Sequence, residues 1–128
     1  MKSIKQTYLI NSPIEEVWKA LTDPKYIDAW GGGPSKMSGE KDFEFSLWDG
    51  EIFGKNIEVE ENKKLVQEWI EGKWDKASTV SFVLTKEDEL TKIDFTQTGY
   101  PEREHDDLSS GWKDFYLEPL KKYLEEKN

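Results

Sequence analysis

The sequence predicts an α+β fold in which a curved six-stranded antiparallel sheet wraps around one long C-terminal helix, with two short helices between strands 1 and 2. Residues 109–128 read SSGWKDFYLEPLKKYLEEKN, and at about 3.6 residues per turn their apolar side chains fall on one broad helical face. Upstream, six short runs alternate between apolar and polar residues, as strands buried on one face do. The sheet must therefore supply most of the apolar surface that covers the helix.

The first elements are a strand and two short helices. Residues 4–10 alternate loosely, which is typical of a strand. Ser12 is a suitable N-cap, and Pro13 suits the first helical position of a helix that ends near Thr22. Asp23-Pro24 interrupts that helix, and we expect a second helical segment at residues 25–29.

The main sheet begins after the glycines at residues 31–33, where the apolar period changes from helical to alternating. Asp49-Gly50 predicts a hairpin, and the returning strand at residues 51–60 is expected to place Phe53, Ile57 and Val59 on one face. The connections between strands are short, so consecutive strands are expected to pair antiparallel. The remaining runs lie at residues 65–71, 80–84 and 93–95, and a polar stretch at residues 100–108 leads to the final helix.

Composition restricts the classes of function. The chain has 128 residues, so we expect one domain spanning residues 1–128. Eighteen basic and twenty-seven acidic residues give a net charge of −9, which argues against nucleic acid as a partner. No cysteine is present, and no apolar run approaches the roughly 18 residues of a membrane span. We expect a cytoplasmic protein that acts as a monomer, although nothing in the sequence determines its oligomeric state.

Aromatic residues are the unusual feature of the composition. Six Trp, five Tyr and six Phe make up 13% of the chain. On composition alone, a densely packed aromatic core is the preferred interpretation. The alternative is a cavity lined by rings, where Trp or Tyr can present a polar tip to a ligand.

The order of elements is that of the helix-grip fold. The runs INSPIEEVWKALTDP, DGEIFGKNIEV followed by LVQEW, and GWKDFYLEPLKKYL resemble the START-like superfamily. Within it, nearly the whole chain resembles the C-terminal domain of the activator of 90-kDa heat shock protein ATPase. That activator has a separate N-terminal domain that carries much of its stimulation of the chaperone. The present chain begins at the first strand of the second domain, so we do not expect full chaperone activation.

The resemblance implies that an apolar or aromatic small molecule of unknown identity binds between the sheet and the last helix. We therefore predict a non-enzymatic binding domain with an apolar, aromatic-lined cavity. Its walls are expected to be formed by Phe45, Leu47, Phe53, Ile57, Val80, Phe82, Ile93 and Phe95 on the sheet, and by Trp112, Phe115 and Tyr116 on the helix. One of Gln67 and Glu68 must also face the helix, but the alternation does not determine which.

Two alternative functions stay open. One is a co-chaperone-like module that binds a 90-kDa heat shock chaperone through exposed tryptophans, for which Trp30, Trp48 and Trp74 are the candidates. The other is an enzyme of the cyclase or dehydratase type. No residue pair stands out as a nucleophile with its base, and His105 is the only histidine, in an acidic stretch without metal-site spacing. We expect no cofactor, no metal and no catalytic residue.

Pro119 divides the final helix. It removes an amide from the helix interior, so we expect a kink there. Residues 111–116 are then expected to form the lid of the cavity, and residues 120–124 to belong to the core.

Overall fold

The computed structural model describes residues 2–127. Residues 1 and 128, the two ends of the predicted domain, lie outside the described residues, and residue 128 is also the last position of the predicted final helix. The helices are α1 (Ile14–Thr22), α2 (Pro24–Trp30), α3 (His105–Gly111) and α4 (Glu118–Lys127), with a π-helical segment, Trp112–Leu117, between the last two. The strands are β1 (Ser3–Ile10), β2 (Glu44–Leu47), β3 (Ile52–Glu60), β4 (Lys64–Glu71), β5 (Ser78–Glu87) and β6 (Leu90–Thr98). Short 3-10 turns cover Trp48–Gly50 and Glu102–Glu104.

The described strands form one six-stranded sheet in the order β1-β6-β5-β4-β3-β2. Every pairing is antiparallel, and β2 to β6 follow one another as a meander. β1 adds to the far edge, where Ser3 pairs with Thr98 and Ile10 with Thr91. The α+β helix-grip fold predicted from the sequence is confirmed, including the two short helices between the first two strands.

The sequence signals for the ends of the first two helices agree with the structure in part. Asp23 caps α2, because its Oδ1 accepts a hydrogen bond from the Lys25 amide at 2.9 Å. Gly31 ends α2 with a φ of 113°, in the region that favours glycine. The prediction that Ser12 caps α1 is wrong, since Pro13 occupies the N-cap position and no side chain caps that helix.

The face of β3 differs from its prediction. Ile52, Gly54 and Asn56 share the inner face, whereas Phe53 and Ile57 are 42% and 37% exposed on the outer one. A β-bulge lies between Asn56 and Glu58 and inverts the alternation of the strand, so that Val59 packs against the core. Phe53 and Ile57 are therefore not part of a wall that faces the helix.

The final helical region begins earlier and is less regular than predicted. α3 starts at His105, inside the stretch expected to be a connection. The wider turn of the π-helical segment brings Trp112, Tyr116 and Leu117 onto the buried side and leaves Phe115 68% exposed. The irregularity thus precedes Pro119, the second residue of α4, in a helical run that continues from the π-helical segment without a break.

Aromatic rings fill the space between the sheet and the final helices. Trp112 lies at the centre of the cluster, with its ring centroid 4.1 Å from that of Phe95 and 4.4 Å from that of Trp69. Phe82 stacks on Tyr116 at 5.7 Å. These rings are at most 3% exposed, so this part of the interior is a packed aromatic core.

Within residues 2–127, no helix combines the length and the apolar character that crossing a membrane requires.

Candidate functional site

An open cleft of about 380 Å³ lies where the final helical region meets the ends of β3 and β4. Trp69 on β4 and Ile52 on β3 contribute its sheet side, and Trp48 and Glu51 come from the turn before β3. α3 and the π-helical segment supply the opposite side. The lining residues are Trp48, Glu51, Ile52, Trp69, Glu71, Asp107, Leu108, Gly111, Trp112, Phe115 and Tyr116. The cleft opens to solvent and is not the enclosed cavity that was predicted.

Buried amides hold two of the lining rings. The Trp69 indole N–H donates to Gln67 Oε1 at 3.1 Å, and the Gln67 amide donates to Asn56 Oδ1 at 3.0 Å. The Trp112 indole N–H donates to Gln97 Oε1 at 2.7 Å. Gln67 and Gln97 are fully buried, so these bonds fix the rings with their polar atoms already satisfied. Gln67, not Glu68, faces the helix.

Tyr116 contributes a polar group without a partner. Its side chain is 1% exposed, and its hydroxyl has no hydrogen-bond partner anywhere in residues 2–127. Burial raises the pKa of this hydroxyl, so it stays protonated at neutral pH. A buried hydroxyl without a partner costs free energy.

The rim of the cleft is acidic. Glu51, Glu71 and Asp107 line it, and none of the three forms an ion pair with another described residue. Burial, and then the negative charges of Glu104 and Glu51, raise the pKa of Glu71. Glu104 is held in place by the Trp74 indole N–H, which donates to its Oε2 at 3.0 Å. In the described chain, no lysine, arginine or histidine is among the lining residues.

The residues of the predicted cavity wall lie in three different environments in the structure. Trp112, Phe115 and Tyr116 line the cleft, although Phe115 lies at its exposed edge. Phe53 and Ile57 lie on the outer face, as described above. The other predicted residues are buried in the core without lining the cleft: Phe45, Leu47, Val80, Phe82, Ile93 and Phe95. The predicted core part of the helix is right, since Leu120 and Leu124 are fully buried. Residues 111–116 do not form a separate lid, because Trp112 and Tyr116 are core residues as well.

The tryptophans proposed as an exposed patch do not form one. Trp30 is buried, with its indole N–H donating to the Ala20 carbonyl at 2.9 Å. Trp48 and Trp74 are half-buried, and the indole N–H of Trp48 donates to the Gly31 carbonyl at 2.7 Å. Trp48 instead lines the cleft, where it lies beside Tyr116 with a centroid distance of 6.5 Å.

Several lining residues were missed by sequence reasoning. Trp69 had a usable signal, because it alternates with Leu65 and Gln67 on the inner face of β4. Glu71 and Glu51 had no usable signal, since each lies at the end of an element where alternation stops.

His105 starts α3, and its ring nitrogen Nδ1 is hydrogen-bonded with the Tyr100 hydroxyl at 2.5 Å. Across residues 2–127, no three His, Cys, Asp or Glu residues are placed to hold a metal ion.

The fold and the cleft together define a helix-grip domain with an aromatic, acid-rimmed cleft beside its final helix. Comparison with known proteins identifies the family of the chain. The chain belongs to the family described as "Activator of Hsp90 ATPase homolog 1-like protein", whose model matches residues 11–125.

Relatives of this chain include longer proteins. An uncharacterized protein of Schizosaccharomyces pombe is 28% identical over 120 residues, which cover 92% of this chain and 36% of that protein. The human activator of 90 kDa heat shock protein ATPase homolog 1 is 25% identical over 121 residues, 93% of this chain and 35% of its own. The chain thus spans about a third of the length of the curated relatives it matches.

A solved structure shows the same fold over the full domain. An HSP90 activator from Plasmodium falciparum superimposes with a TM-score of 0.87 at 22% sequence identity. The match covers 97% of this chain and 96% of that one. At this level of identity the likeness concerns the fold alone.

Proposed function

We propose that the protein binds an apolar, aromatic small molecule in the open cleft, and that it does so without chemical conversion of the ligand. The observation that carries this proposal is the cleft of about 380 Å³ beside Trp48, Trp69, Trp112, Phe115 and Tyr116. Its volume lies within the range of small-molecule sites, and rings whose polar atoms are already satisfied present apolar surface to a ligand.

The affinity of such a ligand comes mainly from buried apolar area, at roughly 25 cal/mol per Å² before the costs of association. The indole hydrogen bonds of Trp69 and Trp112 fix the rings before the ligand arrives. Less side-chain freedom is then lost on binding. This arrangement favours flat ligands over flexible chains.

The proposal is tested by titrating the full chain with N-phenyl-1-naphthylamine, a neutral aromatic probe whose fluorescence rises in apolar surroundings. We expect saturable binding that Gly111→Leu abolishes. Gly111 lines the cleft, and nothing but the Phe115 ring comes within 4.0 Å of a Cβ placed there. The longer leucine side chain therefore occupies the space where the probe would bind.

Ser110→Leu is the matched control, because it adds the same side chain one residue earlier, at an exposed position outside the lining. The control should keep the binding of the wild-type chain. Equal probe binding by both variants would contradict the proposal. Native mass spectrometry of the freshly purified chain would additionally identify a ligand that co-purifies.

A second candidate function is binding to a 90-kDa heat shock chaperone. Two named relatives, from human and Saccharomyces cerevisiae, are described as an activator of the 90 kDa heat shock protein ATPase and as an Hsp90 co-chaperone. The exposed apolar side chains of Phe53 and Ile57 on the outer sheet face replace the tryptophans as contact candidates. In an ATPase assay with the purified chaperone, Phe53→Ser should weaken any effect of this chain, whereas no effect of the unmodified chain would exclude the function.

A further inference from the structure

Three features of the cleft are not explained by an apolar ligand alone. Its rim carries Glu51, Glu71 and Asp107 without a basic lining residue anywhere in the described range. Its lining includes five aromatic side chains, and aromatic rings attract cations. Finally, its lining includes Tyr116, whose hydroxyl is buried and lacks a partner.

We propose that the ligand is an aromatic organic cation: an ammonium group lies among Glu51, Glu71 and Asp107, a flat ring lies against the accessible aromatic lining at Trp48 and Phe115, and a hydrogen-bonding group on the ring pairs with the Tyr116 hydroxyl. This inference rests on the proposed function and specifies its ligand. It assigns the charge and the polarity of the molecule rather than its name.

The rim selects the sign of the charge. The three carboxylates have no ion-pair partner among the described residues, so a ligand cation does not have to displace an existing one. The basic side chains of the neighbouring segments lie elsewhere: Lys73, Lys76 and Arg103 line a second hollow of about 270 Å³. The net charge of −9 adds a long-range attraction for cations.

The buried part of the cleft lining favours a ligand ring that carries a hydrogen-bonding group. Tyr116 is a lining residue whose hydroxyl has no partner among the described residues, whereas the indole N–H groups of Trp48, Trp69 and Trp112 already have partners. The rim carboxylates of Glu51 and Asp107 are exposed, whereas Tyr116 is buried. A ligand that satisfies both therefore needs its cationic group at one end and a hydrogen-bonding group at the other.

Three indole compounds test the charge. Tryptamine, tryptophol and indole-3-propionate share one ring and carry an ammonium, a neutral hydroxyl and a carboxylate. By calorimetry with the full chain, we expect tryptamine to bind roughly tenfold more tightly than tryptophol and indole-3-propionate to bind most weakly. Glu71→Gln should cost tryptamine about threefold in affinity and leave tryptophol unchanged.

Glu68→Gln is the matched control, because Glu68 lies on the same strand but is exposed on the outer face of the sheet. It should leave all three affinities unchanged. For the hydroxyl, 1-methyltryptamine lacks the ring N–H, so we expect it to bind several-fold more weakly than tryptamine. Tyr116→Phe should remove that difference.

Each outcome bears on one of the two proposals. If tryptophol binds, Gly111→Leu abolishes that binding, and tryptamine binds no more tightly, the cleft is a binding site but the inferred charge is wrong. Tighter binding of indole-3-propionate would also overturn the inference. If none of the three compounds binds at millimolar concentration and N-phenyl-1-naphthylamine does not bind either, the proposed function fails together with the inference.

Discussion

The hydroxyl of Tyr116 is an exception to the rule that buried polar atoms are paired. The ring stacks on Phe82 and lies 4.6 Å from the ring of Trp30, so its position is set by apolar packing. The hydroxyl adds nothing to that packing and is desolvated without compensation among the described residues. The hydroxyl therefore lowers the stability of the folded chain.

Tyr116→Phe should raise the free energy of unfolding by about 1 kcal/mol, because it removes an unpaired buried hydroxyl and keeps the ring. Chemical denaturation at neutral pH measures the change. Tyr8→Phe is the control: the Tyr8 hydroxyl donates to Gln6 Oε1 at 2.8 Å, so its removal should lower stability instead. A similar loss of stability in both variants would show that Tyr116 has a partner after all.

Glu71 is a second residue whose environment opposes its charged form. Burial, Glu104 and Glu51 raise its pKa above the ordinary value of 4.5, so the folded protein holds the proton more tightly than the unfolded chain does. The stabilisation associated with that proton is complete below pH 4.5 and is lost as the pH rises through the raised pKa.

Glu71→Gln should therefore stabilise the protein at neutral pH, and the gain should vanish once the pH falls below about 4.5. Denaturation midpoints measured between pH 4 and pH 8 give the profile. Glu68→Gln on the outer face should change stability by no more than about 0.5 kcal/mol at neutral pH. A Glu71→Gln variant that is less stable than the natural chain at neutral pH would show that the carboxylate has a stabilising partner.

At the scale of single elements, two glycines have opposite roles. Gly54 lies on the inner face of β3, where an added Cβ would overlap the backbone carbonyl of Glu68 on β4 and reach 3.0 Å from the Phe45 ring. Gly111 ends α3 and has open space around it. The strand glycine is required by packing, whereas the helix glycine keeps the cleft open.

Gly54→Ala should lower the free energy of unfolding by at least about 2 kcal/mol, because the strand pair must separate to admit the methyl group. Gly111→Ala should instead raise it by up to about 1 kcal/mol, since alanine is the better helix former. Thermal unfolding of the two variants side by side measures the difference. A neutral Gly54→Ala would mean that β3 and β4 move apart easily at this position.

These elements also show which features of the fold can be predicted from the sequence. The meander of β2 to β6 and the two short helices follow from local signals such as alternation and the Asp23-Pro24 break, whereas the pairing of β1 with β6 does not. A β-bulge puts Val59 on the opposite face from Phe53 and Ile57, with which it was predicted to share a face, and a π-helical turn moves Phe115 off the buried side. Such irregularities depend on tertiary packing, and a periodic pattern read from sequence assumes that they are absent.

The candidate site was harder to predict than the fold for a related reason. Trp112 and Tyr116 are signalled by the apolar face of the final helix, but they serve the core and the cleft at once. Glu51, Glu71 and Asp107 are brought to one rim by the ends of three separate elements, and charged residues at such ends are ordinarily solvated. Only the three-dimensional arrangement distinguishes them from the remaining acidic residues.

At the scale of the whole molecule, the cleft bridges the two parts that the helix-grip fold holds together. One side belongs to β3 and β4 and the other to α3 and the π-helical segment, so a ligand in the cleft contacts both. A bound molecule should therefore oppose the separation of helix and sheet that unfolding requires. Binding to the folded state alone raises the free energy of unfolding by RT ln(1 + [L]/Kd).

Tryptamine at 100 times its Kd should accordingly stabilise the chain by about 2.7 kcal/mol and raise the melting temperature by roughly 10 °C for a domain of this size. Differential scanning calorimetry with and without the compound measures the shift. Gly111→Leu should abolish the shift because it fills the cleft, whereas Ser110→Leu should retain it. A shift that persists in Gly111→Leu would place the compound elsewhere on the molecule, outside the cleft between helix and sheet.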